Sequence, residues 1–120
     1  DPHWTYRLPT RREWEYACRG GPGVSRAAAG FDFYAGDPTL RLFPERANYK
    51  GCFGRPVPVA SYRPNVLGLY DMHGNACELG EDHLGDGKFW RPLLGGWWDD
   101  EPEKCQANWY GTIPADTPFR

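Results

Sequence analysis

The sequence lacks the features that several functional classes require. Its 14 basic and 16 acidic residues are mixed along the chain and leave a net charge of −2, so it has no basic stripe. Because a nucleic-acid surface needs clustered cations to neutralise phosphates, nucleic acid is disfavoured as a partner. No apolar run approaches the roughly 20 residues of a membrane-spanning helix, and no membrane span is predicted.

The cysteines also lack the spacing of a zinc ribbon, because none of the four lies in a CxxC pair. Four cysteines allow three full pairings, and their spacing does not choose among these. Four reduced thiols stay an alternative for a cytosolic chain. A disulfide bridge and a reactive thiolate pair are both alternatives for Cys52 and Cys77.

What the sequence does contain is glycine, proline and aromatic side chains: 15 Gly, 12 Pro, 6 Trp, 7 Tyr and 6 Phe among 120 residues. Frequent glycine and proline interrupt regular elements, while aromatic side chains each bury a large area. Disorder is disfavoured because disordered chains are poor in Trp and Tyr. The composition therefore predicts one loop-rich domain held together by aromatic clusters.

One helix is predicted, over residues 11–19. Thr10 and Glu13 form a capping-box pattern, in which each side chain satisfies a free N–H at the helix start. Trp14 and Cys18, with an alanine between them, form one apolar stripe at helical spacing. A Gly-Gly-Pro sequence then ends the helix.

The strand signals are short and weak. Alternating apolar residues predict a short strand or an extended entry over residues 1–8, and two valines among prolines predict at best an edge strand at residues 57–59. An Asp-Gly pair predicts a hairpin turn at residues 86–87. A buried strand is predicted over residues 93–98 and a last strand over residues 105–110.

Residues 67–78, with the sequence LGLYDMHGNACE, form the most informative stretch. Asp71 and Glu78 bracket a His-Gly-Asn turn, and two acids around exposed carbonyls are typical of a site for a hard cation. An ordinary surface turn has the same spacing, so the spacing alone does not identify a site. A transition-metal triad is a further alternative, although no spacing brings its members together: His73, Asp82 and His83.

Two long motifs match a known family. Residues 7–10 read RLPT and residues 13–21 read EWEYACRGG, while residues 64–75 contain PN followed by GLYDMHGN. Looser matches are the glycine pair at 95–96 and the closing Phe-Arg. The chain therefore resembles the formylglycine-generating enzyme (sulfatase-modifying factor) family over essentially its whole length.

This resemblance implies a fold and a domain boundary. The family has an irregular, loop-rich α+β fold of the C-type-lectin-like kind, with few short helices and strands. The family domain also has a substantial portion before its RLPT motif. We therefore expect residues 1–120 to form a single domain of this family that is truncated at its N-terminal side.

The resemblance also implies an activity, which this chain is expected to lack. The family's prototype converts a sulfatase cysteine to Cα-formylglycine with O₂ and a copper ion held by two thiolates, the ligands that Cu(I) prefers. The matching interval, residues 97–104, contains no cysteine, and Trp97 replaces the serine of the family's GGS motif. Copper is therefore not expected, and a non-catalytic module is favoured over an active oxidase that acts on a protein or peptide thiol.

The resemblance implies a disulfide between Cys18 and Cys105, which match cysteines that are structural in the family. Closing so long a loop contributes about 4–5 kcal/mol in a loop-entropy treatment. Two buried free thiols are the alternative. The disulfide, if formed, favours a secreted or periplasmic location.

The resemblance also assigns a structural calcium site, because four positions match one of the family's two calcium sites. Two would offer carboxylate oxygens and two would offer carbonyl oxygens, all of which suit a hard cation. The predicted ligands are Asp71, Gly74, Ala76 and Glu78.

A ligand surface is expected in the C-terminal region, which is the variable binding surface of the family's variable proteins. Trp and Tyr suit contact with a protein or peptide, which by resemblance would be sulfatase-like. The alternative is that these aromatic residues belong to the core. The candidates are Trp97, Trp98, Trp109 and Tyr110.

Overall fold

The structure, a computed structural model, describes residues 3–83 and 89–118. The regular elements in these ranges are few and short, which confirms the irregular α+β fold. They are helix α1 (Arg11–Cys18), strands β1 (Glu78–Leu79), β2 (Asp82–His83), β3 (Phe89–Leu94) and β4 (Gly111–Pro114), and 3₁₀ helices at Gly21–Gly23, Ala28–Gly30 and Pro102–Cys105. No helix in the described ranges is long and apolar enough to cross a membrane.

Helix α1 begins where the capping box predicts. The backbone N–H of Glu13 donates to Thr10 Oγ1 at 3.2 Å, and the N–H of Thr10 donates to Glu13 Oε2 at 3.1 Å. Arg7 also donates to both oxygens of Glu13, and these hydrogen bonds help lower the pKa of that carboxyl to about 2. The helix buries Trp14 and Cys18, so the predicted apolar stripe is confirmed.

Strand β3 is the centre of an antiparallel sheet. It pairs with β4 on one side and with β1 and β2 on the other. Strands β1 and β2 keep one register along β3, and the N–H of Gly80 between them donates to the Pro92 carbonyl at 2.9 Å. The next N–H, from Glu81, turns instead to the carbonyl of Pro9 at 2.8 Å. The segment before α1 is thereby tied to the sheet.

The two predicted C-terminal strands are displaced along the chain. The strand expected at residues 93–98 is β3, which ends at Leu94 because Gly95 and Gly96 follow with φ of 84° and 77°. The strand expected at residues 105–110 is wrong, since the 3₁₀ helix covers Cys105 and β4 starts only at Gly111.

The remaining strand predictions, at residues 57–59 and 1–8, are not confirmed in the described residues. Residues 57–59 do not form a strand, and Val59 is 82% exposed without a neighbouring strand to pair with. The part of the entry segment that the structure describes, residues 3–8, also contains no strand. The Asp-Gly turn at residues 86–87 lies outside the described residues, although β2 and β3 on either side pair as in a hairpin.

The core consists of two neighbouring clusters of buried side chains. The first cluster lies beneath α1 and contains Trp14, Cys18, Tyr34, Met72, Leu94 and Ala107. The second lies beside the 3₁₀ helix that ends at Cys105 and contains Phe33, Leu42, Ala47, Tyr49 and Cys105. Aromatic side chains occur in both clusters, as the composition predicts.

Candidate functional site

The turn within residues 71–78 is a left-handed backbone segment. Asp71, Gly74 and Asn75 have φ of 56°, 83° and 67°, a region that favours glycine. The N–H of Gly74 donates to the Gly95 carbonyl at 2.6 Å, and the N–H of Asn75 donates to the Asn48 carbonyl at 2.8 Å. A Cβ atom at position 74 would lie 2.2 Å from that Asn48 oxygen, so only glycine fits.

The side chain of Asn75 ties this turn to the loop before it. Its Oδ1 accepts from Asn48 Nδ2 at 3.2 Å and from the Val57 N–H at 2.9 Å, while its Nδ2 donates to the Val57 carbonyl at 3.1 Å. The residue is 5% exposed, so these bonds satisfy a buried amide. The Asn75 side chain therefore holds the turn against both Asn48 and Val57.

His73 is a buried structural residue of the core. Its Nδ1 lies 2.6 Å from the Cys105 carbonyl oxygen and must carry the proton, because a carbonyl only accepts. Its Nε2 accepts from the Tyr34 N–H at 2.9 Å and lies 3.5 Å from Cys18 Sγ. Burial lowers the pKa of His73 to about 4, so the ring is neutral at pH 7. With both nitrogens in use, it is not placed as a transition-metal ligand.

Cys18 and Cys105 carry free thiols in the structure, so the disulfide predicted between them is not formed there. Both are completely buried, and His73 contacts each through a different ring nitrogen. Burial raises the pKa of both thiols, that of Cys105 to about 12. The structure therefore has the alternative arrangement, two buried free thiols.

Each acid of the predicted calcium site accepts a hydrogen bond. Glu78 Oε2 accepts from the indole Nε1 of Trp14 at 2.8 Å, and Asp71 Oδ2 accepts from the Ala60 N–H at 2.9 Å. Burial raises the pKa of Glu78, the hydrogen bond from Trp14 lowers it, and the negative charge of Asp71 raises it. A cation bound beside two carboxylates lowers the electrostatic repulsion between them.

The donor set at this turn fits a hard cation. Within the described residues, the carbonyl oxygens of Gly74 and Ala76 accept no hydrogen bond, so neither is committed to a donor there. Calcium takes carboxylate and carbonyl oxygens in flexible geometry. No group of three or more His, Cys, Asp or Glu side chains is placed to hold a metal in the part of the chain that the structure describes. The fit therefore favours calcium over a transition metal.

The four aromatic residues of the predicted ligand surface have different surroundings. Trp97 and Trp98 lie beside the left-handed turn, where the N–H of Trp98 donates to the Asn75 carbonyl at 3.0 Å. Tyr110 lies instead beneath Arg11, whose guanidinium carbon is 4.5 Å from the centroid of the Tyr110 ring. Trp97 and Tyr110 are 42% and 47% exposed, whereas Trp98 and Trp109 are partly buried.

The remaining two cysteines differ in their surroundings. Cys52 is exposed in the loop after Asn48, and its Sγ lies 3.9 Å from the Asn48 side-chain oxygen. Cys77 is partly buried, and burial raises the pKa of its thiol to about 11. A thiol with a raised pKa is a poor nucleophile at neutral pH, which disfavours a reactive pair.

One feature of the surface has no counterpart in the sequence motifs. A groove of about 320 Å³ lies between the segment that contains Leu42, the loop at Tyr49 and the 3₁₀ helix Pro102–Cys105. Its walls come from three separate parts of the chain, and no local pattern links them.

Comparisons with known proteins agree with the motifs. Residues 3–119 match the model of the sulfatase-modifying factor enzyme 1-like domain. Over 81 residues the chain is 38% identical to the formylglycine-generating enzyme of Streptomyces coelicolor, covering 63% of this chain and 26% of that protein.

Solved structures give the same result over more of the chain. Treponema denticola variable protein 1 superposes with a TM-score of 0.69 at 28% identity, covering 90% of this chain and 42% of that one. The structure titled CarF superposes with a TM-score of 0.69 at 31% identity, covering 90% and 41%. The chain thus spans less than half the length of each of these three proteins. By its motifs, its fold and the matched domain, the chain belongs to the sulfatase-modifying factor family.

Proposed function

We propose that this chain is a non-catalytic binding module of its family and that calcium stabilises it. The observation that carries the proposal is the left-handed turn between Asp71 and Glu78, in which the carbonyl oxygens of Gly74 and Ala76 accept no hydrogen bond from the residues that the structure describes. The charge of Asp71 also raises the pKa of Glu78, and a bound cation would remove this repulsion. Calcium would be held by these two carboxylates and by the carbonyl oxygens of Gly74 and Ala76, and it would tie the turn to β1.

The cysteines support the non-catalytic part of the proposal. The interval that matches the family's copper-binding cysteines, residues 97–104, contains none. Cys105, which follows that interval, is completely buried and its thiol has a pKa of about 12. Because the family's copper is held by two thiolates, the single buried Cys105 does not substitute for the absent pair.

The proposed ligand is a protein or peptide. Exposed aromatic side chains are the groups that most often anchor such contacts. Trp97 and Tyr110 are large and accessible, and Trp97 lies next to the turn that calcium would hold. Calcium would thereby support the segment that presents Trp97.

The calcium proposal is tested by thermal unfolding with and without the ion. At a free calcium concentration of about 100 times Kd, a single site contributes about 2.7 kcal/mol, which for a chain of this length raises Tm by roughly 10 °C. We expect Asp71→Asn to remove this increase and Asp116→Asn, at an exposed acid beyond the end of β4, to keep it. An unchanged Tm in the unsubstituted protein would overturn the calcium site.

The oxidase alternative is tested separately. The reduced protein is loaded with Cu(I) and incubated in air with a peptide that carries the sulfatase cysteine motif. We expect mass spectrometry to find the cysteine unchanged. Conversion to formylglycine would overturn the non-catalytic proposal whatever the result with calcium.

A further inference from the structure

The groove of about 320 Å³ is a built feature of the fold. Its floor is made of Phe33, Leu42 and Tyr49, which are 3%, 8% and 8% exposed and belong to the second core cluster. The Tyr49 hydroxyl donates to the Leu42 carbonyl at 2.9 Å, so the two chain segments that contain these floor residues are bonded to each other. Its lining residues are Phe33, Leu40, Arg41, Leu42, Tyr49, Lys50, Pro102, Glu103 and Gln106.

The rim of the groove carries one cation without an ionic partner. Its charged lining residues are Arg41, Lys50 and Glu103, and Lys50 lies 3.6 Å from Glu101, so cations and anions are equal in number there. Arg41 makes no salt bridge with any residue that the structure describes, and its guanidinium carbon lies 5.9 Å from the centroid of the Phe43 ring. Arg41 is therefore the rim cation available to an anionic ligand.

We propose that this groove binds a short peptide segment in which an apolar side chain stands next to a carboxylate. The inference rests on the proposed binding module and locates its ligand site away from Trp97 and Tyr110. The apolar side chain lies on the aromatic and aliphatic floor. The carboxylate pairs with Arg41, whose planar guanidinium suits two-point contact with a carboxylate.

The size and polarity of the groove favour a peptide segment over a larger occupant. Its volume lies at the lower end of the range for ligand sites, about 300–1,000 Å³, which admits a side chain or two and not a folded surface. Gln106 on the rim offers a donor and an acceptor, the pair of groups that a peptide bond requires. Exposed Leu40 extends the apolar surface beyond the floor.

The test is a titration of the ¹⁵N-labelled protein followed by NMR. The probe is an acetylated, amidated hexapeptide with one leucine followed by one aspartate in a glycine–serine background. We expect the amide signals of Leu42, Tyr49 and Gln106 to shift, while the indole signals of Trp97 and Trp98 stay in place. A second peptide, with asparagine for aspartate, is expected to bind about tenfold more weakly, as loss of a charge-assisted hydrogen bond predicts.

Two protein variants complete the design. Arg41→Gln removes the proposed carboxylate partner and is expected to weaken binding of the aspartate peptide about tenfold, leaving the asparagine peptide unaffected. Arg12→Gln removes another exposed arginine, on α1 and outside the groove, and is expected to change the binding of neither peptide. Unaltered melting temperatures establish that both variants are folded.

Each contrary result has a defined meaning. Shifts confined to Trp97 and Trp98 would overturn the groove as the site and leave the binding module standing. Equal binding of the two peptides, or no shift at any residue, would overturn the proposed ligand chemistry. The calcium and oxidation tests are read independently, so failure of the proposed function is distinguishable from failure of this inference.

Discussion

His73 joins the two halves of the core through its ring. It bonds Tyr34 of the first cluster through Nε2 and Cys105 of the second through Nδ1, and its ring contacts Phe33 edge-on with the centroids 5.4 Å apart. Because both bonds need one protonated and one bare nitrogen, only the neutral ring satisfies them. At the sequence level this histidine was a candidate metal ligand, since its buried partners are 39 and 32 positions away and leave no local signal.

Stability should therefore fall as His73 becomes protonated. Its pKa is about 4 in the folded protein and about 6.5 when exposed, so folding favours the neutral form. The contribution is fully present above pH 6.5 and is lost as the pH falls towards 4, by about 3 kcal/mol. Urea unfolding at pH 7 and pH 4.5, in the presence of a chelator, measures most of this change.

The matched variant for this experiment is His73→Gln, which retains polar groups but does not titrate. Its unfolding free energy should be lower at pH 7 and should change less between the two pH values. Glu78 acts in the opposite direction, because its raised pKa contributes stability that is lost as the pH rises through the folded value. Identical pH dependence in the two proteins would contradict the assignment to His73.

At the scale of elements, the helix was predictable and the strands were not. Helix α1 is specified by neighbours three residues apart, Thr10 and Glu13, and the structure has both of their hydrogen bonds. The end of β3 depends instead on Gly95 and Gly96, which adopt left-handed backbone to pack against Met72 and Cys105. Those partners are distant in sequence, so the apolar run alone extended the predicted strand too far.

The left-handed turn offers a prediction at the same scale. Gly74→Ala should lower the unfolding free energy by about 3 kcal/mol, because the new Cβ meets the backbone carbonyl of Asn48 and the residue keeps a positive φ. Gly68→Ala is the matched change, since Gly68 has φ of 79° but nothing within 4 Å of an added Cβ. It should cost only about 1 kcal/mol. Equal losses in urea unfolding would show that the Asn48 contact does not matter.

At the scale of the whole molecule, the sequence predicted the family and the fold class better than the site. The four residues proposed to bind calcium lie within eight consecutive positions, so one motif contains all of them. Trp97 and Tyr110 are only 13 positions apart, yet one lies by that turn and the other against Arg11. The groove was not predicted, because its lining residues come from segments that are distant in the sequence and meet only in the folded chain.

The two core clusters should unfold together, because His73 bonds to both. Cys18 reports on the first cluster and Cys105 on the second, and both thiols are buried in the folded protein. Pulsed alkylation at increasing urea concentrations, read by mass spectrometry, gives a separate midpoint for each thiol. We expect coincident midpoints, as two-state unfolding requires. Midpoints that differ would show two independent cores, and two thiols that stay unlabelled in fully unfolded protein would show that the disulfide forms after all.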